Sequence, residues 1–174
     1  MKIVIKVGTS SICDEVDFTP KLSNIASLVQ LIVALKDQGH SVVLVSSGAV
    51  GFGLLRLALK EKPKELSKIQ AAAAIGQGRL IALYDSLFAQ FQVPIAQVLL
   101  TRDTLADRGQ YLNAVNTLNE LLSFNVLPII NENDTVSHTE LRFGDNDSLS
   151  AIAAGMINAD LLFLLTGYLD ILKF

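Results

Sequence analysis

Five short apolar runs constrain the fold more than any other feature: KIVIKV (2–7), SVVLVS (41–46), VPIAQVLL (93–100), VLPII (126–130) and DLLFLLT (160–166). They are continuous rather than alternating in polarity, the pattern of strands buried on both faces. Stretches with helical periodicity separate them. Strands of this kind interleaved with helices make a mainly parallel sheet covered on both sides, an α/β architecture. Thr19-Pro20 predicts a helix start, because Thr caps well and Pro at the first helical position sacrifices no hydrogen bond. Leu22, Ile25, Val29, Ile32 and Val33 follow with helical spacing, and Gly39 is a natural terminator. Residues 49–59, 67–91, 113–124 and 147–158 are further predicted helices, and TVSHTELRFG (135–144) alternates as a β-hairpin would. No repeat, low-complexity tract or linker interrupts the pattern, so one domain over residues 1–174 is expected.

The bulk numbers narrow the function classes. A chain of 174 residues, 51% hydrophobic, can build a substantial core, since a domain near this size buries roughly 70% of its unfolded surface. The formal net charge of -3, with no basic run, argues against a nucleic-acid surface. One cysteine, Cys13, excludes an internal disulfide and a cysteine metal cluster; a small residue near a loop is its expected role. No run approaches the roughly 18 apolar residues of a membrane span. The N-terminal run carries Lys2 and Lys6 and is too short for a signal-peptide core, so a cytoplasmic location is expected.

In open α/β sheets ligands bind beyond the C-terminal ends of the strands, and four polar clusters stand at such places. KVGTSS (6–11) puts Lys6 at the end of the first strand, followed by Gly8, Thr9 and Ser10. A glycine turn there would offer backbone N–H groups to phosphate oxygens, with Lys6 as a point charge at the transferring group. The plainer reading is a strand-end lysine reaching solvent. SSGAVGFG (46–53) repeats the arrangement, so Ser47 and Gly48 would hold a carboxylate or phosphate at a helix N-terminus, unless Ser47 is an ordinary cap. NEND (131–134) and GDND (144–147) supply Asn131, Asp134, Asp145, Asn146 and Asp147, a donor and acceptor set suited to an α-ammonium group or a magnesium shell. His40 and His138 face no nucleophile, which argues against a Ser-His-acid triad. TRDTLADRGQ (101–110) is a mixed-charge loop, expected to be solvated or to face another subunit.

Taken in order, KVGTSS, VSSGAVGFG, QAAAAIGQGRL, LLTRDTLADRGQYLNA, INENDTV and FGDNDSLSA resemble the glutamate 5-kinases (γ-glutamyl kinases) of the amino acid kinase family, from residue 2 to about Thr166. The resemblance implies a three-layer α/β/α sandwich that phosphorylates the side-chain carboxylate of L-glutamate with ATP and its magnesium. That would open proline biosynthesis. Carried over by motif, Lys6 would contact phosphate, Ser47, Asp134 and Asn146 would bind glutamate, Asp147 would organise the reacting groups, and Thr166 would touch ATP. No dedicated protein metal site is implied. Feedback by proline and assembly into homo-oligomers are implied as well, with no nucleic-acid or membrane partner.

After LLFLLT the chain reads GYLDILKF, where the family pattern has an aspartate and then a glycine-leucine-tyrosine turn. Gly167 stands in the aspartate's place, and residues 167–174 depart from the pattern. The expectation is a chain truncated on its nucleotide side, without the adenine pocket and second catalytic lysine. Its five-strand sheet would then end in an exposed apolar edge. A non-catalytic amino-acid-binding module on the same fold, or another small-molecule kinase of that fold, are the alternative readings.

Overall fold

The structure, a computed structural model, describes residues 1–137, 146–165 and 169–173, the last as backbone only. The apolar runs form β1 (Lys2–Val7), β2 (Ser41–Ser46), β3 (Ile95–Leu100), β4 (Leu127–Glu132) and β5 (Leu161–Leu165). Every pairing among these five is parallel. A sixth strand, β6 (Leu169–Lys173), pairs antiparallel with β5 and completes the order β3-β4-β2-β1-β5-β6. The expected bare edge at β5 is therefore corrected. Only residues 166–168 join β5 to β6, far fewer than the dozen or so a parallel crossover needs, so the strand returns antiparallel.

Seven helices are described: α1 (Thr9–Ile12), α2 (Leu22–Asp37), α3 (Ala49–Arg56), α4 (Leu66–Ala89), α5 (Arg102–Ala106), α6 (Arg108–Ser123) and α7 (Asp147–Ile157). Side chains alternate across a strand, and the two resulting cores identify the layers. Ile3, Ile5, Val7, Val42, Leu44 and Ile129 pack with Ile25, Val29 and Ile32 of α2, Phe52 of α3, and Leu80, Tyr84 and Phe88 of α4. On the opposite face Val4, Val43, Val45 and Ile130 pack with Leu118 of α6 and with Leu149, Ala153 and Ile157 of α7. The three-layer sandwich is the observed fold.

Local details depart from the sequence expectation for identifiable reasons. The helix expected to open at Thr19-Pro20 begins at Leu22, with Lys21 as its cap. Pro20 instead bridges Cys13, and Thr19 accepts a hydrogen bond from the Asp14 N–H, closing residues 13–20 into a small loop. The mixed-charge loop is mostly helical: Thr101 caps α5 and Asp107 caps α6 through side-chain hydrogen bonds to Thr104 N and Gln110 N. Gly39 does terminate α2, with φ of +81°. Of the expected hairpin, residues 135–137 form a turn and its end rather than strand; the remainder, with His138, lies outside the described residues.

Helices α3 and α4 approach backbone to backbone. A Cβ on Gly53 would lie 1.8 Å from the Ala72 carbonyl oxygen, and one on Gly76 would lie 1.7 Å from that of Ala49. Nothing larger than glycine fits either position without moving a helix.

Cys13 is fully buried, and its Sγ donates to the Phe18 carbonyl at 3.0 Å. Burial first, then the neighbouring Asp14 and Asp17 charges, push its thiol up to about 11 from 9.0. The native thiol should therefore resist a thiol-specific reagent at pH 8 and react fully once denaturant unfolds the chain. Because the folded group holds its proton longer than the unfolded one, its stabilising contribution is complete below pH 9 and declines between pH 9 and 11. Rapid labelling of the native protein at pH 8 would contradict this.

Candidate functional site

Strand alternation puts Lys6 on the Val4 side of β1, facing the layer of α6 and α7. Its side chain is wholly buried, and its Nζ lies 2.7 Å from Asp147 Oδ1 in the first turn of α7. That turn favours a carboxylate because the helix dipole is positive there. The solvent-reaching lysine is thus excluded, and the ion pair ties the end of β1 to the start of α7.

The turn after β2 follows from one glycine. Gly48 has φ of +97° and ψ of -7°, the left-handed region, and its Cα faces Ile12 so closely that a Cβ would sit 2.8 Å from Ile12 Cδ1. The left-handed φ is what favours glycine here; the Ile12 side-chain tip could shift to admit a Cβ. Gly48, not Ser47, is the cap of α3, and no side chain caps this helix. The Ser47 hydroxyl instead accepts from Asn146 Nδ2 at 3.0 Å.

Asn146 holds the clusters together. It caps α7 with φ of +63°, a conformation that asparagine tolerates better than most residues. Its buried amide nitrogen lies 3.1 Å from the Ser46 carbonyl, 3.0 Å from Ser47 Oγ and 2.9 Å from Asn131 Oδ1. Three acceptors around one nitrogen settle which way the amide points. Asn146 Oδ1 then has no donor among the described residues, although it is buried. An unmet buried acceptor costs about 1–3 kcal/mol, so a guest with N–H groups would be favoured there.

These residues line a cleft of about 350 Å³ beyond the ends of β1, β2 and β4, near the low end of the roughly 300–1,000 Å³ typical of small-molecule sites. Of the residues expected from sequence, it gathers Thr9, Ser47, Gly48, Asn131, Asp134 and Asn146. Lys6 and Asp147 stand apart from it as an ion pair, Lys6 buried and Asp147 half exposed. Gly8 is extended, with φ of -79°, and its N–H is directed at the Leu165 carbonyl, 3.5 Å away. Ser10 is exposed and its carbonyl accepts from Lys21 Nζ at 2.9 Å. Asp145, Thr166 and Gly167 lie outside the described residues.

Sequence reasoning missed part of the wall. Asp14, Glu15 and Glu132 join Asp134 on it, against Lys62. Four carboxylates and one ammonium make its lining net negative, which favours a cationic group on the guest. The signal for Asp14 and Glu15 was the run CDEVD, which the Cys13–Pro20 bridge closes into a loop at the cleft rim, with Glu15 exposed. Gln77 lies within QAAAAIGQGRL but was not singled out there. It sits mid-helix on α4 and its Oε1 accepts from Asn131 Nδ2 at 2.7 Å.

Among the described residues, no three His, Cys, Asp or Glu side chains are grouped to hold a metal ion. No helix among them is long and apolar enough to cross a membrane.

Comparison with known proteins adds four findings. The family profile described as Amino acid kinase family matches residues 1–170. A probable glutamate 5-kinase of Schizosaccharomyces pombe is 62% identical over 164 residues, covering 94% of this chain and 41% of that protein. The glutamate 5-kinase of Acaryochloris marina is 56% identical over 165 residues, covering 94% and 44% respectively. Among solved structures, the UMP kinase of Bacillus anthracis superposes with a TM-score of 0.60 at 15% identity, covering 95% of this chain and 64% of that one. That likeness speaks to the fold. The chain spans about two-fifths of the length of the curated relatives it matches.

Proposed function

Because the chain belongs to the amino acid kinase family, we propose that its cleft binds L-glutamate and that its activity is transfer of the ATP γ-phosphoryl group to the glutamate side-chain carboxylate. The product is γ-glutamyl phosphate, the first intermediate of proline biosynthesis. The observation carrying this reading is the unmet Asn146 Oδ1, buried beside Ser47 and Asn131 in an acidic cleft. An α-ammonium group supplies the missing donor, with Asp134 as a further acceptor. The α-carboxylate lies where α3 begins at Gly48, against N–H groups that no side chain caps.

The side-chain carboxylate is already a nucleophile. Its oxygen bonds to the γ-phosphorus while the bond from that phosphorus to the bridging oxygen breaks, and ADP leaves with its electron pair. The protein's task is in-line positioning and charge neutralisation. Lys6, held by Asp147, supplies a fixed positive charge, and Thr9, with Gly8 and Ser10, borders the phosphate path. Magnesium enters as part of the substrate MgATP. Proline, as end product, would compete at or near the same cleft, and self-association into oligomers belongs to this reading.

The test is hydroxylamine trapping. The protein with MgATP and L-glutamate should yield γ-glutamyl hydroxamate, detected by mass, and aspartate, acetylglutamate, carbamate or UMP should yield no phosphorylated product. Asp134→Ala should raise the half-saturating glutamate concentration about tenfold or more, as loss of a charged hydrogen bond does. Product from one of the other acceptors but not from glutamate would overturn the assignment.

A further inference from the structure

We propose that Gln77 is a positioning residue for this cleft, acting through Asn131 to keep Asn146 Oδ1 turned toward the guest's ammonium group. The inference rests on the glutamate reading above. An asparagine amide has one accepting and one donating end. Asn131 Oδ1 accepts from the Glu132 N–H at 2.8 Å and from Asn146 Nδ2 at 2.9 Å. Its Nδ2 must then point away, and Gln77 Oε1 receives it at 2.7 Å. Three amides thus stand in series, Gln77 to Asn131 to Asn146, each orienting the next. Reversing Asn131 would set its NH2 against the Glu132 N–H and the Asn146 NH2. Asn146 could escape its side of that clash by turning as well, but only by giving up its hydrogen bond to the Ser46 carbonyl, and the turn would aim an NH2 group at the ammonium.

The location of Gln77 excludes a simpler role. It does not line the glutamate cleft; it lines a second cleft of about 290 Å³ on the far side of Glu132 and Asp134. It follows Gly76, whose contact with Ala49 sets how deeply α4 lies against α3. Packing therefore places the Gln77 side chain at the end of the amide chain, where its Oε1 accepts from Asn131 Nδ2.

The experiment titrates the chain with L-glutamate and with glutarate, which keeps both carboxylates and lacks the ammonium, following the ligand-dependent rise in melting temperature. The wild type should prefer glutamate. Gln77→Met should weaken glutamate about tenfold and change glutarate by less than about twofold, since one charge-assisted hydrogen bond is at stake. Gln77→Glu keeps an accepting oxygen and should restore most of the preference. Gln77→Ala, a strong helix former, gives the same readout if methionine disturbs packing. An equal fall for both ligands would reduce Gln77 to a structural part, and an unchanged preference would remove it altogether; either overturns the proposal alone. A wild type indifferent to glutamate would instead bring down the reading of the cleft, and this proposal with it.

Discussion

Gly76→Ala should be among the most damaging single-methyl additions in the chain. Its Cβ would lie 1.7 Å from the Ala49 carbonyl oxygen and within 2.8 Å of the Ala49 carbonyl carbon, both backbone atoms of α3. No rotamer relieves a clash with backbone, so α3 and α4 must move apart and lose the packing of Phe52 and Leu80 between helix and sheet. Overpacking costs about 1–3 kcal/mol where side chains can adjust; here the upper end or more is expected, a fall in Tm of roughly 6–12 °C at this chain length. Gly78→Ala and Gly155→Ala are the controls. Both are helical and would meet nothing within 4 Å, so each should be neutral or stabilise by up to about 1 kcal/mol. Thermal melts of the three variants decide the matter. Three similar shifts would mean that α3 and α4 do not touch as described.

On the proposed kinase reading, exchanging Lys6 for methionine should slow phosphoryl transfer about 10²–10³-fold while leaving glutamate affinity within about threefold. A fixed charge aimed at developing transition-state charge is worth about 10²–10³ in rate, whereas the cleft is lined without Lys6. Hydroxamate trapping reads the first effect and glutamate-induced stabilisation the second. The ion pair also predicts an asymmetry in stability. Lys6 has 0% side-chain exposure and Asp147 has 52%. Lys6→Met replaces a buried stem with an apolar one of similar reach, and Asp147 keeps its water. Asp147→Ala takes a carboxylate away from a buried ammonium, a change that costs about 3–5 kcal/mol in fully buried pairs and less here because Asp147 is half exposed. Urea melts should rank Asp147→Ala as the less stable variant. The opposite order would show that the pair contributes little.

The layers were legible because strand burial is a local property. KIVIKV, SVVLVS, VLPII and DLLFLLT are apolar over most of their length without alternation, as strands covered on both faces are. The site was legible in its pieces for a similar reason: hydroxyl, glycine and amide clusters followed strands one after another. Helix starts were less so. Thr19-Pro20 has the composition of a cap, yet the Cys13–Pro20 bridge competes for the same backbone and prevails.

Sequence by itself determined which residues can carry charge, donate or turn the chain, and the period-two rule put Lys6 on the Val4 face of β1. Tertiary structure decided what met them. Asp147 faces Lys6 because the chain passes from β4 across the sheet to put β5 beside β1, with α7 over that crossing. Asn146 reaches Ser47 from 99 residues away, and Asn131 reaches Gln77 from 54. Those encounters depend on strand order and on how closely α3 and α4 approach through their glycines. Both are properties of the packed sheet, and a local pattern of residues does not contain them.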